Sequence, residues 1–305
     1  MTIRLFLVRH GETVDNVAGV YAGSRDSPLT AHGVLQARRL GAHLASHARS
    51  DESTAQRHGG RVTHVFASDL KRAVETAQAI VDAQLARDPV ATVAPTVATA
   101  VADGDDQSTE SQAPILDIVQ LPELRERDFG TGEGAKFGAD LSKAGMESRE
   151  AMRQRAERFV INHLAPLLRP AADRPGDVGH VVVVAHGLIL DSLLRVVLVQ
   201  FGAVPQEETR SASWGNTGYA ELAARPVPGR PGEMSGNRTA SPKSSPKSPS
   251  IPHTVLAVVG VNILTHLEGL KKTRGGIGSA KFDKRQRTVD SFFGPAKKKV
   301  KAASE

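Results

Sequence analysis

The sequence predicts an α/β fold, a three-layer α/β/α domain built on a mainly parallel sheet. Three observations carry this. Short apolar runs of strand length alternate with longer segments of helical periodicity, the order that produces a sheet flanked by helices. The segment HVVVVA, residues 180 to 185, is nearly continuous in valine, as suits a strand covered on both faces. Two apolar strands, this one and Leu5 to Val8, each end in a His-Gly pair, with an arginine and a glutamate between them in the chain.

The first element is the apolar run Leu5 to Val8, which stops abruptly at Arg9-His10-Gly11. In open α/β sheets the carboxyl ends of the strands are where ligands bind. A neutral histidine there can attack phosphorus, and a neighbouring guanidinium matches phosphate oxygens in a planar fork. Gly11 lets the backbone approach an anion closely. The turn Pro28-Leu29-Thr30 leads into a helix with Val34, Leu35, Leu40 and Leu44 on its apolar positions and Thr30 as N-cap. Arg61 to Ala67 alternates and reads as a second strand, followed by a helix over SDLKRAVETAQAI. Residues 99 to 114 are small, acidic and unpatterned, a flexible surface insertion. Met146 to Leu168 reads as one long amphipathic helix with Met152, Phe159, Val160 and Leu164 inward. The valine strand ends at His186-Gly187, where the next helix offers its amino-terminal N–H groups to an anion. WGNTGYAELAA opens a further strand before composition collapses to Pro, Ser and Gly.

Residues Arg9 through Asn16, RHGETVDN, resemble the signature of the histidine phosphatase superfamily, which contains cofactor-dependent phosphoglycerate mutase and many phosphatases. Around Arg72, the residues Ala73, Thr76 and Ala77 are similar to the family's second phosphate-clamping motif. LPELRERDFGTGEG is similar to its glutamate motif, with Leu124, Gly130 and Glu133-Gly134 in register. The resemblance implies phosphoryl transfer through a phosphohistidine. His10 would attack in line, Arg9, Arg72 and His186 would neutralise the phosphoryl oxygens, and Glu126 would handle the leaving-group proton. Asn16, Gly23, Arg127 and Gly187 would contact phosphate or substrate. No metal or other cofactor is implied, and the arginines beside His10, His186 and Glu126 would repel a divalent cation. TVLAVVGVNILTHL resembles the family's closing strand, which makes the last two strands a hairpin interrupted by a disordered loop at 226 to 252. The domain then spans residues 1 to 270. Leu188 stands where mutases carry Asn, and only residues 135 to 145 follow the glutamate motif where mutases have a long insertion. A phosphatase is therefore expected, with a mutase or a non-catalytic clamp-bound adaptor as alternatives.

Hydrophobic residues make up 40% of the 305, enough for a core, and the absence of cysteine fits a reducing intracellular compartment. The first strand begins by residue 3, which leaves no room for a signal peptide, and Val181 to Val204 carries His186, Asp191 and Arg195, unlike a membrane span. The net charge of +6 is unevenly placed. Residues 271 to 305 hold eleven Lys and Arg against three Asp and Glu, a net of +8, so residues 1 to 270 carry −2. This basic stretch is expected to be a disordered tail addressed to an acidic partner, an import receptor or nucleic acid, and direct nucleic-acid binding is not expected of the catalytic region. Within it Gln286, Val289, Phe292 and Phe293 resemble a PIP box, the motif that docks on the sliding clamp PCNA. Residues 297 to 301, KKKVK, resemble a nuclear import signal, so the nucleus is the expected location.

Overall fold

The computed structural model describes residues 3–50, 61–87, 116–142, 144–168, 179–201, 213–226, 254–272 and 277–283. The valine run occupies the middle of the sheet. This strand, β4 (His180–Ala185), is buried throughout and pairs in parallel with β1 (Arg4–Arg9) on one side and β2 (Val62–Ala67) on the other. A short strand, β3 (Ile118–Gln120), extends the parallel part beyond β2, while β5 (Tyr219–Pro226) and β6 (Thr254–Ile263) add an antiparallel hairpin beside β1. The order is β3-β2-β4-β1-β5-β6, so the sheet is mainly parallel.

Strand periodicity sorts the core into two layers. Leu5, Leu7, Val181 and Val183 pack beneath α4 (Arg149–Phe159) and α6 (Gly187–Gln200). Their neighbours Phe6, Val8, Val182 and Val184 meet α2 (Ala31–Ser50) and α3 (Lys71–Arg87) on the other face. Successive strand side chains point to opposite faces, so both faces must be apolar where helices cover both. Each fully buried valine contributes about 1.5 to 3 kcal/mol relative to exposure in water.

The chain leaves β1 toward the α2/α3 face and leaves β4 toward the α6 face. These adjacent parallel strands therefore part at their carboxyl ends, opening the crevice where ligands lodge in such sheets.

Several expectations need amendment. The helix expected from Met146 begins at Arg149, because the Ser148 hydroxyl accepts the Ala151 N–H and ends the preceding loop. It then widens into a π-helical turn over Val160–Leu164 before a last α-helical turn, α5 (Ala165–Leu168). β3, only three residues long, was not foreseen. Thr30 does cap α2, accepting the Gly33 N–H at 2.9 Å. The tail expected from residue 271 keeps its described residues 277–283 on the domain: Ala280 O accepts from Ala31 N, and Phe282 N donates to Leu29 O. Of the loop expected at 226 to 252, Pro226 instead ends β5 opposite Thr254; the rest of it, the insertion at 99–114, Gln286, Val289, Phe292, Phe293 and residues 297–301 lie outside the described residues.

Candidate active site

His10 sits one residue beyond β1 and His186 one residue beyond β4, and the in-register pairing Arg9↔Ala185 brings them together. Their ring centroids lie 5.0 Å apart, and both side chains are buried. Backbone hydrogen bonds fix them in place: His10 N donates to Ala185 O, and Thr217 N donates to His10 O. Asn216 Nδ2 adds a second donor to the same carbonyl.

The hydrogen-bond partners decide the tautomers. His10 Nδ1 lies 2.7 Å from Gly11 O, a group that can only accept, so Nδ1 carries the proton and Nε2 the lone pair. His186 Nδ1 faces Arg72 Nε at 3.1 Å, a group that can only donate, so His186 accepts there and holds its proton on Nε2. That Nε2 is buried with no hydrogen-bond partner among the described residues, a donor awaiting an acceptor. Burial first, then the nearby cations of Arg72 and Arg9, hold His10 well below the ordinary imidazole value. Burial and the Arg72 cation likewise depress His186. Both rings are therefore neutral at pH 7, one as a lone-pair donor and the other as a proton donor.

Arg72 enters from the second turn-forming position of α3 and is 1% exposed. Its Nη1 donates to Arg25 O at 2.7 Å, and its Nη2 donates to Ala22 O and Gly23 O at 3.0 Å each. Burial lowers its pKa to about 10, with Glu126 the largest opposing influence, so it stays a cation at neutral pH. Arg9 is also lowered by burial, and Glu126 pulls the other way. Its Nη1 donates to Trp214 O, while its Nε is buried without a hydrogen-bond partner among the described residues.

Glu126 closes the opposite side. Its Oε1 accepts from Arg127 N and Ile189 N, and its Oε2 accepts from Leu188 N at 3.0 Å, so the carboxyl lies against the start of α6. Arg155 of α4 holds this loop by donating to Glu123 O and Arg125 O while pairing with Glu147 at 2.7 Å.

The cavity at this point is about 440 Å³ and is lined by Arg9, His10, Asn16, Arg72, Glu126 and Gly187 among others. Of the residues singled out in the sequence, His186 stands directly behind it, bonded to Arg72. Gly23 and Arg127 are placed differently. The Gly23 N–H is engaged by the Glu133 carboxylate, and Arg127, whose Nε donates to Glu147 O, lines a neighbouring cleft. Asn16 reaches the cavity rim while its Oδ1 accepts from Thr13 N and Asn216 Nδ2.

Sequence reasoning did not single out Thr76, Asn216 or Thr217 as site residues. Thr76 Oγ1 accepts the Gly11 N–H at 3.1 Å and donates to Arg72 O, tying the segments of His10 and Arg72 together. Thr217 is held at φ 57°, an unusual value for a β-branched residue, next to the carbonyl of His10. Tyr21, Phe129 and Phe137 form an aromatic rim, with ring centroids 4.7 and 5.0 Å from Tyr21. Thr76 stands in the motif around Arg72 without its own role being legible there, and the others carry no sequence signal, because their partners are remote in the chain.

Residues 5–92 match the model of the histidine phosphatase superfamily, branch 1. Over those residues the chain is similar to that family. Over 297 residues it is 27% identical to a protein named probable phosphatase in Schizosaccharomyces pombe, spanning 94% of this chain and 78% of that one. It is 29% identical over 210 residues to a protein named probable phosphoglycerate mutase GpmB in Proteus mirabilis, spanning 64% of this chain and 75% of that one. The fold of the chain is similar to that of phosphoglycerate mutase from Bacillus anthracis, with a TM-score of 0.53 and 18% identity over 88% of this chain and 96% of that one. It is equally similar to a mycobacterial glucosyl-3-phosphoglycerate phosphatase solved with VO3, with a TM-score of 0.54 and 19% identity over 85% of this chain and 99% of that one.

Proposed function

We propose that the protein hydrolyses phosphomonoesters through a phosphohistidine formed on His10. The observation that carries this is the pairing of tautomers: His10 presents an unprotonated Nε2, while His186, held by Arg72, keeps a proton on its own unpartnered Nε2. One nitrogen can form a bond to phosphorus, and the other can donate to a phosphoryl oxygen. Arg9 and Arg72 supply the positive charge that a dianion needs in a buried cavity.

In the first step the His10 Nε2 lone pair forms the N–P bond as the P–O ester bond breaks. Glu126, as general acid, passes a proton to the departing alkoxide, which leaves as the alcohol. In the second step water attacks the phosphohistidine, Glu126 takes the proton, and inorganic phosphate departs. Hydrolysis is favoured over mutase chemistry by Leu188 at the mouth, where an apolar side chain offers no grip on a phosphoglycerate hydroxyl, and by the short connection over residues 135 to 145. His10→Ala should abolish hydrolysis of p-nitrophenyl phosphate in a protein that still folds, as judged by circular dichroism. Glu126→Gln should slow alkyl phosphates far more than aryl ones, because only the poorer leaving group needs the proton. Equal losses on both substrates would remove Glu126 from that role.

The tail is proposed to set where the enzyme works, through clamp docking by Gln286, Val289, Phe292 and Phe293 and nuclear import by residues 297 to 301. The support is the charge partition and the aromatic pair, which would bury most of the apolar area in a clamp groove. A peptide covering 281 to 301 should bind a PCNA-type clamp in calorimetry and weaken about tenfold or more when Phe292 and Phe293 become Ala. Binding that survives this change but vanishes with salt would identify a mere polycation.

A further inference from the structure

A larger cleft of about 830 Å³ lies next to the catalytic cavity, lined by residues of α4 and α6. The two are continuous, since Leu188, Asp191 and Arg195 line both. One wall is apolar and open to water: Leu188 is 42% exposed, Ile161 57% and Val199 80%. Apolar side chains gathered in a concave patch beside a reactive centre mark a ligand groove.

The charges along this cleft do not balance. Arg153 is paired with Glu150 and Glu157, and Arg195 with Asp191. Arg127 and Arg149 also line it, and neither has a carboxylate partner among the described residues. Arg127 uses its Nε on Glu147 O at 2.8 Å, which leaves its terminal nitrogens for the cleft. At the junction with the catalytic cavity, Asp191 Oδ1 is buried without a hydrogen-bond partner among the described residues, an acceptor ready for a hydroxyl.

We propose that this cleft receives the leaving group, and that the substrate is the phosphomonoester of an extended alcohol carrying a second anionic group. The phosphoryl end lies at His10, the apolar middle runs over Leu188 and Val199, and a distal carboxylate or phosphate meets Arg127 and Arg149. The two uncompensated guanidiniums select a distal anion, which neutral or cationic ends cannot satisfy. The apolar wall between them and His10 selects a mainly hydrocarbon spacer, with one hydroxyl accommodated at Asp191 near the phosphoryl end. This inference rests on the phosphohydrolase reading.

The test uses non-hydrolysable alkyl phosphonates and isothermal titration calorimetry on the full chain. The far end of the ligand is a methyl group, a carboxylate or a second phosphonate, each on a short and a long methylene spacer. Long ligands with an anionic end should bind roughly tenfold tighter than the methyl-ended ones, and the preference should collapse in Arg149→Met. Which of the two anions gains more distinguishes a distal carboxylate from a distal phosphate. Equal affinity for methyl-ended and anionic ligands, or a preference that persists in Arg149→Met, would overturn the subsite. If methyl-ended phosphonates bind and inorganic phosphate displaces them while the anionic end adds nothing, the subsite falls and the hydrolase reading stands. If no phosphonate binds and p-nitrophenyl phosphate is not hydrolysed, both fall.

Discussion

At the scale of single residues, two histidines of the same chemistry are given opposite roles by one hydrogen bond each. A carbonyl at His10 Nδ1 and a guanidinium N–H at His186 Nδ1 set the protons on different nitrogens, and burial beside two cations keeps both rings neutral. This has a measurable sign. Protonation of His10 would remove the lone pair, and its pKa is lowered from 6.5, so the acid limb of kcat/KM for an aryl phosphate should fall below pH 6.5. The profile must first be corrected for the second ionisation of the substrate. An acid limb at or above pH 6.5 would contradict a buried, cation-flanked nucleophile. Arg9 and Arg72 depend on the same burial, which strengthens their attraction for a phosphoryl dianion by excluding water.

At the scale of elements, the site is assembled where loops from distant parts of the sequence touch. The segment from Ala22 to Arg25 is held between Arg72, which donates to three of its carbonyls, and Glu133, whose carboxylate accepts from Gly23 N and Ser24 N. Packing there is so close that a Cβ on Gly23 would stand 1.9 Å from Arg127 O. Gly23→Ala should therefore push the Glu126–Arg127 backbone away, destabilising the protein by about 1 to 3 kcal/mol. Activity on alkyl phosphates should fall at the same time. Chemical denaturation together with a leaving-group series would check both, and a fully stable, fully active variant would show that the loop yields without consequence. The amended start of α4 belongs here too. Ser148 fixes where the helix begins, and Arg155 on its second turn reaches back to hold the loop carrying Glu126.

At the scale of the whole molecule, the antiparallel hairpin finishes the sheet. β5 covers the free edge of β1, and β6 covers β5 and contributes Leu256, fully buried, to the core. Truncation after Ala224 should leave an exposed sheet edge and an open core, and so yield insoluble or unfolded protein. Deleting residues 229 to 250 should instead leave melting temperature and turnover nearly unchanged, since closure entropy grows only slowly with loop length. A soluble, active truncation product would deny β6 this role. The docking of residues 277–283 on the start of α2 means that any tail truncation intended to leave the domain untouched should begin after Asp283.

The chain by itself determined the two strand ends that carry histidine, because continuous apolar runs that stop at a polar pair mark both a buried strand and its carboxyl end. It also determined the layering, because the unbroken apolar runs of β1 and β4 admit helices on both faces. Local chemistry at Arg9, Arg72 and Glu126 was legible for the same reason: each stands in a short motif whose spacing is set within one turn or loop. Tertiary structure alone decided the tautomers of His10 and His186, which depend on Gly11 O and on an arginine 114 residues away. It alone moved Gly23 and Arg127 from the cavity beside His10 to its support and its neighbouring cleft, and it brought Thr76, Asn216 and Thr217 against the Gly11 and His10 backbone. Hydrogen bonds between segments remote in sequence depend on where the backbone passes, and side-chain order along the chain does not encode that.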